Sequence, residues 1–562
     1  MKKTPMRFSS LPSLDQTLRK REALPIDYGS SFTQLNNIKV VDAHGIGIYG
    51  TGILIGLLDD GFNNHRVHPA LRNIRVVAEF DFVHRDSNTS RAPWEYFPQG
   101  NHGAGVLSSV GGFDNGSLIG AAFGASFILA KTEIDSVEVH IEEDNYVEAL
   151  EWMERLGVDI ASSSLGYRDF DTTTYSYTYQ ELNGKTTIVS RAAGIAARKG
   201  VLLCTAMGNG GFQTAGRPPV SVLGTLVAPA DADSIVSVGA AYSDGILADF
   251  SGTGPTSDGR IKPEVVAQGT GVRWASGSGS GYVSANGTSA STPLVAGVAA
   301  LVLSAHPQLT PMQIRESLLN TAVHIQDGTT MTTSYPNNYY GWGFANALGA
   351  LLYHGIVFSN LPTVSINNST MTVSTFIRSS SPLLNDSLFL YYQSASGLPF
   401  ERVSLTPTST PFLFQATIPT SVDTNYPRGY FVARDETGRS RLYPPLAPDS
   451  LLAFRALINT GIPGLPGIVP DSFVLHANFP NPFNAGTTIL FDAPSPEPVE
   501  LHLYNLLGQR IRTLFRGIAS VGSNSVYWDG LDDRGVAAPS GTYFSRLHAS
   551  STTLTQKMLL IR

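Results

Sequence analysis

The chain has 562 residues, of which 42 % are hydrophobic and 15 % charged, with a formal net charge of −7. At roughly 100–200 residues per domain, this length predicts about three domains and at least one large core. The acidic balance without a long basic run excludes nucleic acid as an expected partner. A single cysteine, Cys204, excludes an intramolecular disulfide or a cysteine-built zinc site. The Lys pair at the start is followed by no apolar run of signal-peptide type, and no stretch reaches about 18 consecutive apolar residues, so no transmembrane segment is predicted.

Residues 1–35 read as a loosely structured leader. From 36 to 354, buried strands alternate with helices. "GILIGLL" (52–58), "FILA" (127–130), "VLLCTAM" (201–207) and "SIVSVGAA" (234–241) are apolar on both faces, as strands of a covered parallel sheet are. "DNYVEALEWMERLG" puts Val147, Leu150, Met153 and Leu156 on one helical face between an Asp start and a Gly stop. "TIVSRAAGIAARKG" repeats that pattern and ends at Gly200, and in "LTPMQIRESLLNTA" Thr310 caps while Pro311 takes the first turn. The alternation implies an α/β domain with a mostly parallel sheet. From 355 to 458 the helices vanish, and "STMTVSTFI", "SLFLYYQS", "FLFQATI" and "RGYFVARD" alternate like strands of a β-sandwich. Residues 459–470, "NTGIPGLPGIVP", form a Gly/Pro linker. Residues 471–562 then predict a second small β-sandwich anchored by Phe483 and Trp528.

Four residues stand at element boundaries in the first domain, where side chains of α/β folds reach solvent. Asp59 follows the strand in "LLDDGF". His102 opens the small-residue helix of "NHGAGVLSSV". Asn209 follows a strand in "MGNGG", and Ser289 opens the apolar helix of "TSASTPLVAGVAALVLSAH". Taken singly these are turn formers and helix caps. Taken in the order Asp, His, Ser they match the chain order of subtilisin-type triads.

The residues between 36 and 350 resemble a subtilisin-like serine protease. "IGLLDDGF" is similar to the segment ending Asp-Ser/Thr-Gly, "NHGAGV" to His-Gly-Thr-His-Val, "AMGNGG" to Ala-x-Gly-Asn, and "NGTSASTPLVAGVAALV" to Gly-Thr-Ser-Met-Ala-Ser-Pro with its buried helix. The resemblance implies Ser289 as nucleophile, His102 as general base and Asp59 as the carboxylate that orients it. It implies Asn209 as oxyanion donor, worth roughly 10²–10³ in turnover, a magnitude that comes from subtilisin itself. It also implies that "SSSLGY" (162–167) is an exposed strand edge to which a polypeptide substrate adds. There Ser164 and Leu165 lie along the substrate, Gly166 leaves room for the side chain before the scissile bond, and Tyr167 narrows or lines that pocket.

Two positions depart from the pattern. Asp60 stands where Ser or Thr is usual; it either disturbs the titration of Asp59 or the histidine, or points into a turn, which is the reading adopted. Gly105 replaces the second histidine of His-Gly-Thr-His, with little loss expected. His44, in "HGIG", matches nothing around it and reads as a loop histidine. The chemistry requires no cofactor. Subtilases often carry structural calcium, and "EFDFVHRDSN" offers Asp81, Asp86 and Asn88 as oxygen ligands; without EF-hand spacing, a solvated acidic loop is the preferred reading.

Residues 478–562 resemble the C-terminal sorting domain of proteins exported by the type IX secretion system, and the immunoglobulin-like domain of flagellar hook-capping proteins. This implies secretion or surface attachment through the secretion machinery, and the short leader is then expected to be the remnant of a longer precursor. The reading is a secreted subtilisin-like serine endopeptidase. Its alternatives are a catalytically inactive homologue that binds peptides or proteins at the surface, a maturation enzyme that cuts only its own leader or one partner, and a cytosolic peptidase.

Overall fold

Short runs of Leu, Ile, Val and Ala that are apolar on both faces are stable only inside a sheet covered on both sides. The computed structural model shows such a sheet. It describes residues 26–560 apart from 172–174, 212–222, 327–333, 361, 368, 396, 421–426, 446, 450, 458–472, 476–477, 479–482, 484–486, 494–496, 520–521 and 550–551. Residues 1–25 and the linker expected at 459–470 lie outside the described residues.

Seven parallel strands form the central sheet: β1 (Leu54–Asp59), β2 (Arg75–Asp81), β3 (Ser126–Lys131), β4 (Ile160–Ser163), β5 (Leu202–Ala206), β6 (Val236–Ala241) and β7 (Val265–Gln268). Their order is β2-β3-β1-β4-β5-β6-β7. β2 and β7 carry no strand expectation above, and β4 only as the edge at 162–167 that the resemblance implies; β4 and β7 have only four residues each, too few for a periodic signal. An antiparallel hairpin, β8 (Val272–Ala275) and β9 (Tyr282–Ala285), follows.

Five helices matter for the site and its support: α1 (Asn101–Gly111), α2 (Ile141–Leu156), α3 (Ile188–Lys199), α4 (Thr288–Ala305) and α5 (Pro311–Asn320). Thr187 caps α3 by accepting from Ser190 N, and Gly200 ends it at φ +105°. Thr310 and Gln313 form a capping box on α5 with Pro311 in its first turn. α2 starts earlier than expected, and its buried face is Tyr146, Ala149, Leu150 and Met153 rather than the stripe of Val147 and Leu156. The cause is Glu142, whose carboxylate accepts from Ile134 N and Val139 N and so holds the first turn against the preceding loop.

α4 is long and apolar enough by length and composition to cross a membrane, but it is almost wholly buried in the fold. It packs beneath β4, β5, β6 and β7. Residues 26–35, expected as loose leader, pack on the core through Tyr28, Ser31, Gln34 and Leu35. Leu35 is fully buried, Ser31 Oγ accepts from Ile119 N at 2.9 Å, and Gly29 bridges to Leu118. His44 is likewise a core residue and not a loop histidine: it contacts the Tyr28 hydroxyl and Ala121 O, and burial pushes its imidazole down to about 4.

Beyond 355 the described strands form antiparallel sheets only. Two five-stranded sheets enclose Met371, Val373, Phe431 and Phe454. A three- and a four-stranded sheet enclose Phe491, Leu501, Trp528 and Leu547. Trp528 stacks edge-on with Phe483 at 5.4 Å and donates from Nε1 to Leu531 O.

Candidate active site

In an open parallel sheet the carboxyl ends of the strands form the ligand-binding edge. Asp59 ends β1, Ser164–Gly166 follow β4, and Asn209 follows β5. His102 is in the first turn of α1, and Ser289 is in the first turn of α4.

His102 Nδ1 lies 2.6 Å from Asp59 Oδ1. Asp59 is fully buried and also accepts from Asp60 N at 2.9 Å. Burial pulls the His102 imidazole down, but the Asp59 charge and hydrogen bond, with Asp60 and Asp135 nearby, lift it to about 9. Gly103 lets the helix approach: a Cβ there would stand 2.1 Å from Gly61 O and 2.8 Å from Asp59 Cβ.

Asp60 does not point into a turn, contrary to the reading adopted above. Its Oδ2 accepts from Gly100 N at 2.8 Å and His102 N at 3.3 Å, and its Oδ1 from Gly103 N at 2.8 Å. Its carboxyl oxygens cap α1, replacing a cap from Gly100, which has no side chain. Burial and the neighbouring Asp59 push its carboxyl up, against the His102 charge and its N–H donors.

Asn209 Oδ1 accepts from Thr288 N at 2.8 Å and Thr288 Oγ1 at 3.0 Å, leaving its amide group to face the other way. A Cβ on Gly287 would sit 2.7 Å from Ser289 Oγ and 3.5 Å from Asn209 Nδ2, so glycine keeps open the space the two share; its φ of +150° also favours glycine. Ser164 Oγ donates to Ser289 O at 3.0 Å.

Six of the eight predicted residues, His102, Ser164, Leu165, Gly166, Asn209 and Ser289, border one cavity of about 210 Å³, with Asp59 directly behind His102. Tyr167 does not line it. Tyr167 is fully buried, with its backbone paired to Ala228 and its hydroxyl donating to Glu133 Oε1 at 2.6 Å. Val227 takes the place expected of it: a Cβ on Gly166 would meet Val227 Cγ2 at 2.2 Å. Val227 and Ala206 border the same cavity and had no signal in the sequence beyond being small apolar residues.

The residues suggested for calcium do not fit that ion. Asp81 Oδ1 accepts from Val83 N and His84 N, and its Oδ2 pairs with Lys131 Nζ at 3.0 Å. Lys131 also pairs with Glu95, so an ammonium already supplies the positive charge in this cluster. Asp86 and Asn88 instead accept from the backbone of Asn88 and Ser90.

An Asp at a strand end, then a His and a Ser each opening a helix, all turned to the carboxyl edge of a parallel sheet, is the chain order and topology of the subtilisin-like serine endopeptidases. That is the class which fold and site define. The profile of the subtilase family matches residues 50–343, and the chain belongs to that family. Its protein substrate is therefore a polypeptide. The chain is 28 % identical over 348 residues to serine protease AprX of Bacillus subtilis (strain 168), covering 56 % of this chain and 70 % of that one. It is 30 % identical over 319 residues to Subtilisin Savinase of Lederbergia lenta, covering 56 % of this chain and 97 % of that one. Among solved structures it is similar to a cold adapted subtilisin-like serine proteinase, at 24 % identity, 53 % coverage of this chain, 90 % of that chain, and a TM-score of 0.41. Residues 481–553 match the FlgD Ig-like domain.

Proposed function

We propose that Ser289, His102 and Asp59 hydrolyse peptide bonds as one unit, with Asn209 as oxyanion donor. The observation that carries this is the 2.6 Å contact of His102 Nδ1 with buried Asp59, on the cavity that also holds Ser289. Ser289 Oγ attacks the scissile carbonyl while His102 Nε2 takes its proton. The carbonyl oxygen becomes an anion, stabilised by Asn209 Nδ2 and by the Ser289 N–H at the positive end of α4. The tetrahedral intermediate collapses, His102 returns the proton to the leaving amine, and water repeats the sequence on the acyl-enzyme. Asp59 keeps the proton on Nδ1 and balances the imidazolium.

The substrate lies extended along Ser164–Gly166 and adds to that edge by backbone pairing. Val227 and Ala206 wall the cavity with aliphatic groups, which supports a side chain of modest size before the cut. The C-terminal sheets, with their FlgD Ig-like match, support a sorting or attachment module read by a secretion machinery, and hence a secreted or cell-surface enzyme.

Labelling with a fluorophosphonate tests the chemistry. The unmodified chain is expected to label and Ser289→Ala, shown folded by circular dichroism, is not. A folded, unmodified chain that stays unlabelled would make the peptide-binding reading the better one.

A further inference from the structure

Gly105 stands where the resemblance puts a second histidine, and another residue fills the space. A Cβ at Gly105 would lie 2.2 Å from Cε3 of Trp274 and 2.6 Å from its Cδ2, so the indole rests on the bare backbone of α1. Positions 102 and 105 share a helix face. Trp274 is 7 % exposed, and its ring centroid is 5.4 Å from that of His102 with the planes 83° apart, an edge-to-face pair.

Neighbouring hydrogen bonds hold the indole there. Ser108 Oγ donates to Gly105 O at 2.6 Å and accepts from Ala275 N at 2.9 Å, tying β8 to α1. On the other side of Trp274, Arg273 N donates to Gln34 Oε1 at 2.7 Å. Trp274 pairs with Val283 on β9, the strand that runs on to Gly287 and Ser289. The indole Nε1 is buried with no acceptor among the described residues. An unmet donor is destabilising, so the contact is explained by the ring and not by its N–H.

Asp59 fixes one atom of the imidazole, and a ring held at one atom can still swing about that point. We propose that Trp274 is a positioning residue for peptide hydrolysis: seated on Gly105, it fixes the plane of the His102 ring and couples that orientation to the hairpin that leads to Ser289. The proposal rests on the reading of His102 as general base.

The test uses the full chain and a chromogenic peptide, comparing His102→Ala, Trp274→Leu and Trp274→Phe. Trp274→Leu is expected to lower kcat about 10–100-fold with KM within about twofold, the size of effect a misoriented base produces. Trp274→Phe keeps a ring and is expected to restore kcat to within about threefold. Tryptophan emission of the unmodified chain is expected to change with pH at the midpoint of the kcat/KM limb, because an imidazolium against an indole quenches it. That component is expected to vanish in Trp274→Phe. A folded Trp274→Leu with unchanged kcat, or equal losses in Leu and Phe, overturns the proposal while His102→Ala remains inactive. If Trp274→Leu does not fold, an emission profile without that midpoint overturns it. Undiminished hydrolysis by His102→Ala overturns instead the reading of His102 itself.

Discussion

An imidazole pressed against a buried carboxylate is well aimed but reluctant to be neutral. His102 rises from its ordinary 6.5 to about 9 in the folded chain. The pair therefore adds stability that is fully present below about pH 6.5 and is lost as pH rises through about 9. Activity runs the opposite way, because the base works only when neutral. In the inactive Ser289→Ala background, Tm is expected to fall between pH 6.5 and 9, and adding His102→Ala should flatten that fall. Over the same window kcat/KM of the active chain should rise. A Tm profile that His102→Ala leaves unaltered would contradict the pairing. Asp135, exposed but lifting His102, gives a finer test: Asp135→Asn should move the kcat/KM limb to lower pH.

Pocket size is also decided by single residues. Val227 stands where a side chain on Gly166 would otherwise reach. Val227→Ala is expected to raise kcat/KM for a Phe or Tyr before the cut by about tenfold relative to Ala, as a few methyl-sized changes in an apolar pocket do. A peptide panel with only that position varied would show it, and an unchanged ratio would remove Val227 from specificity. Sequence reading found the residues that sit inside short, glycine-bordered segments, because tight turns demand glycine there. Val227, Trp274 and Asp135 escaped it. Each reaches the site from a segment whose place is set by the tertiary fold, and none carries a local pattern.

At the scale of elements, the two helices that carry the site are finished by residues from elsewhere in the chain. α1 is capped at its N-terminus by Asp60 from the end of β1. α4 is capped at its C-terminus by Arg441, which donates to Ala305 O and to His306 Nδ1. His306 Nε2 contacts Leu351 O at 2.8 Å, and burial with the Arg441 charge pushes its imidazole down to about 3, so it stays neutral and accepts from the guanidinium. Arg441→Ala is expected to cost about 1–3 kcal/mol by orphaning the Ala305 carbonyl at the negative end of the helix, with kcat/KM within about twofold. Thermal unfolding read beside activity would separate this cap from a catalytic role. Caps from a helix's own sequence, as at Thr187 and Thr310, were legible; caps donated from β1 or from residue 441 were not, because no fixed spacing links them to the helix. The α2 face was misassigned for the related reason that loop backbone groups claimed Glu142.

At the scale of the molecule, the α/β alternation and the later all-β pattern were legible because buried strands and half-exposed strands differ in period. Along Phe389–Gln393 and Arg428–Arg434 burial alternates residue by residue, while β5 and β6 are buried throughout. The residues that border the cavity all precede 290 in the chain. A chain ending at 470 is therefore expected to hydrolyse a short peptide with kcat/KM within about twofold of the full chain. A chain ending at 354 lacks Arg441 and is expected to melt at a lower temperature. A large activity loss in the first truncation would show that the last sheets contribute to catalysis.

The cap on α4 also has a consequence in time. A ribosome makes Ser289 first and Arg441 about 150 residues later, which at about 5–20 residues per second is roughly 8–30 seconds. Throughout that interval the helix bearing the nucleophile stays unfinished at its far end. The nascent enzyme thus passes that interval, surrounded by the proteins of the cell that makes it, without the fastening that Arg441 gives the helix of its nucleophile.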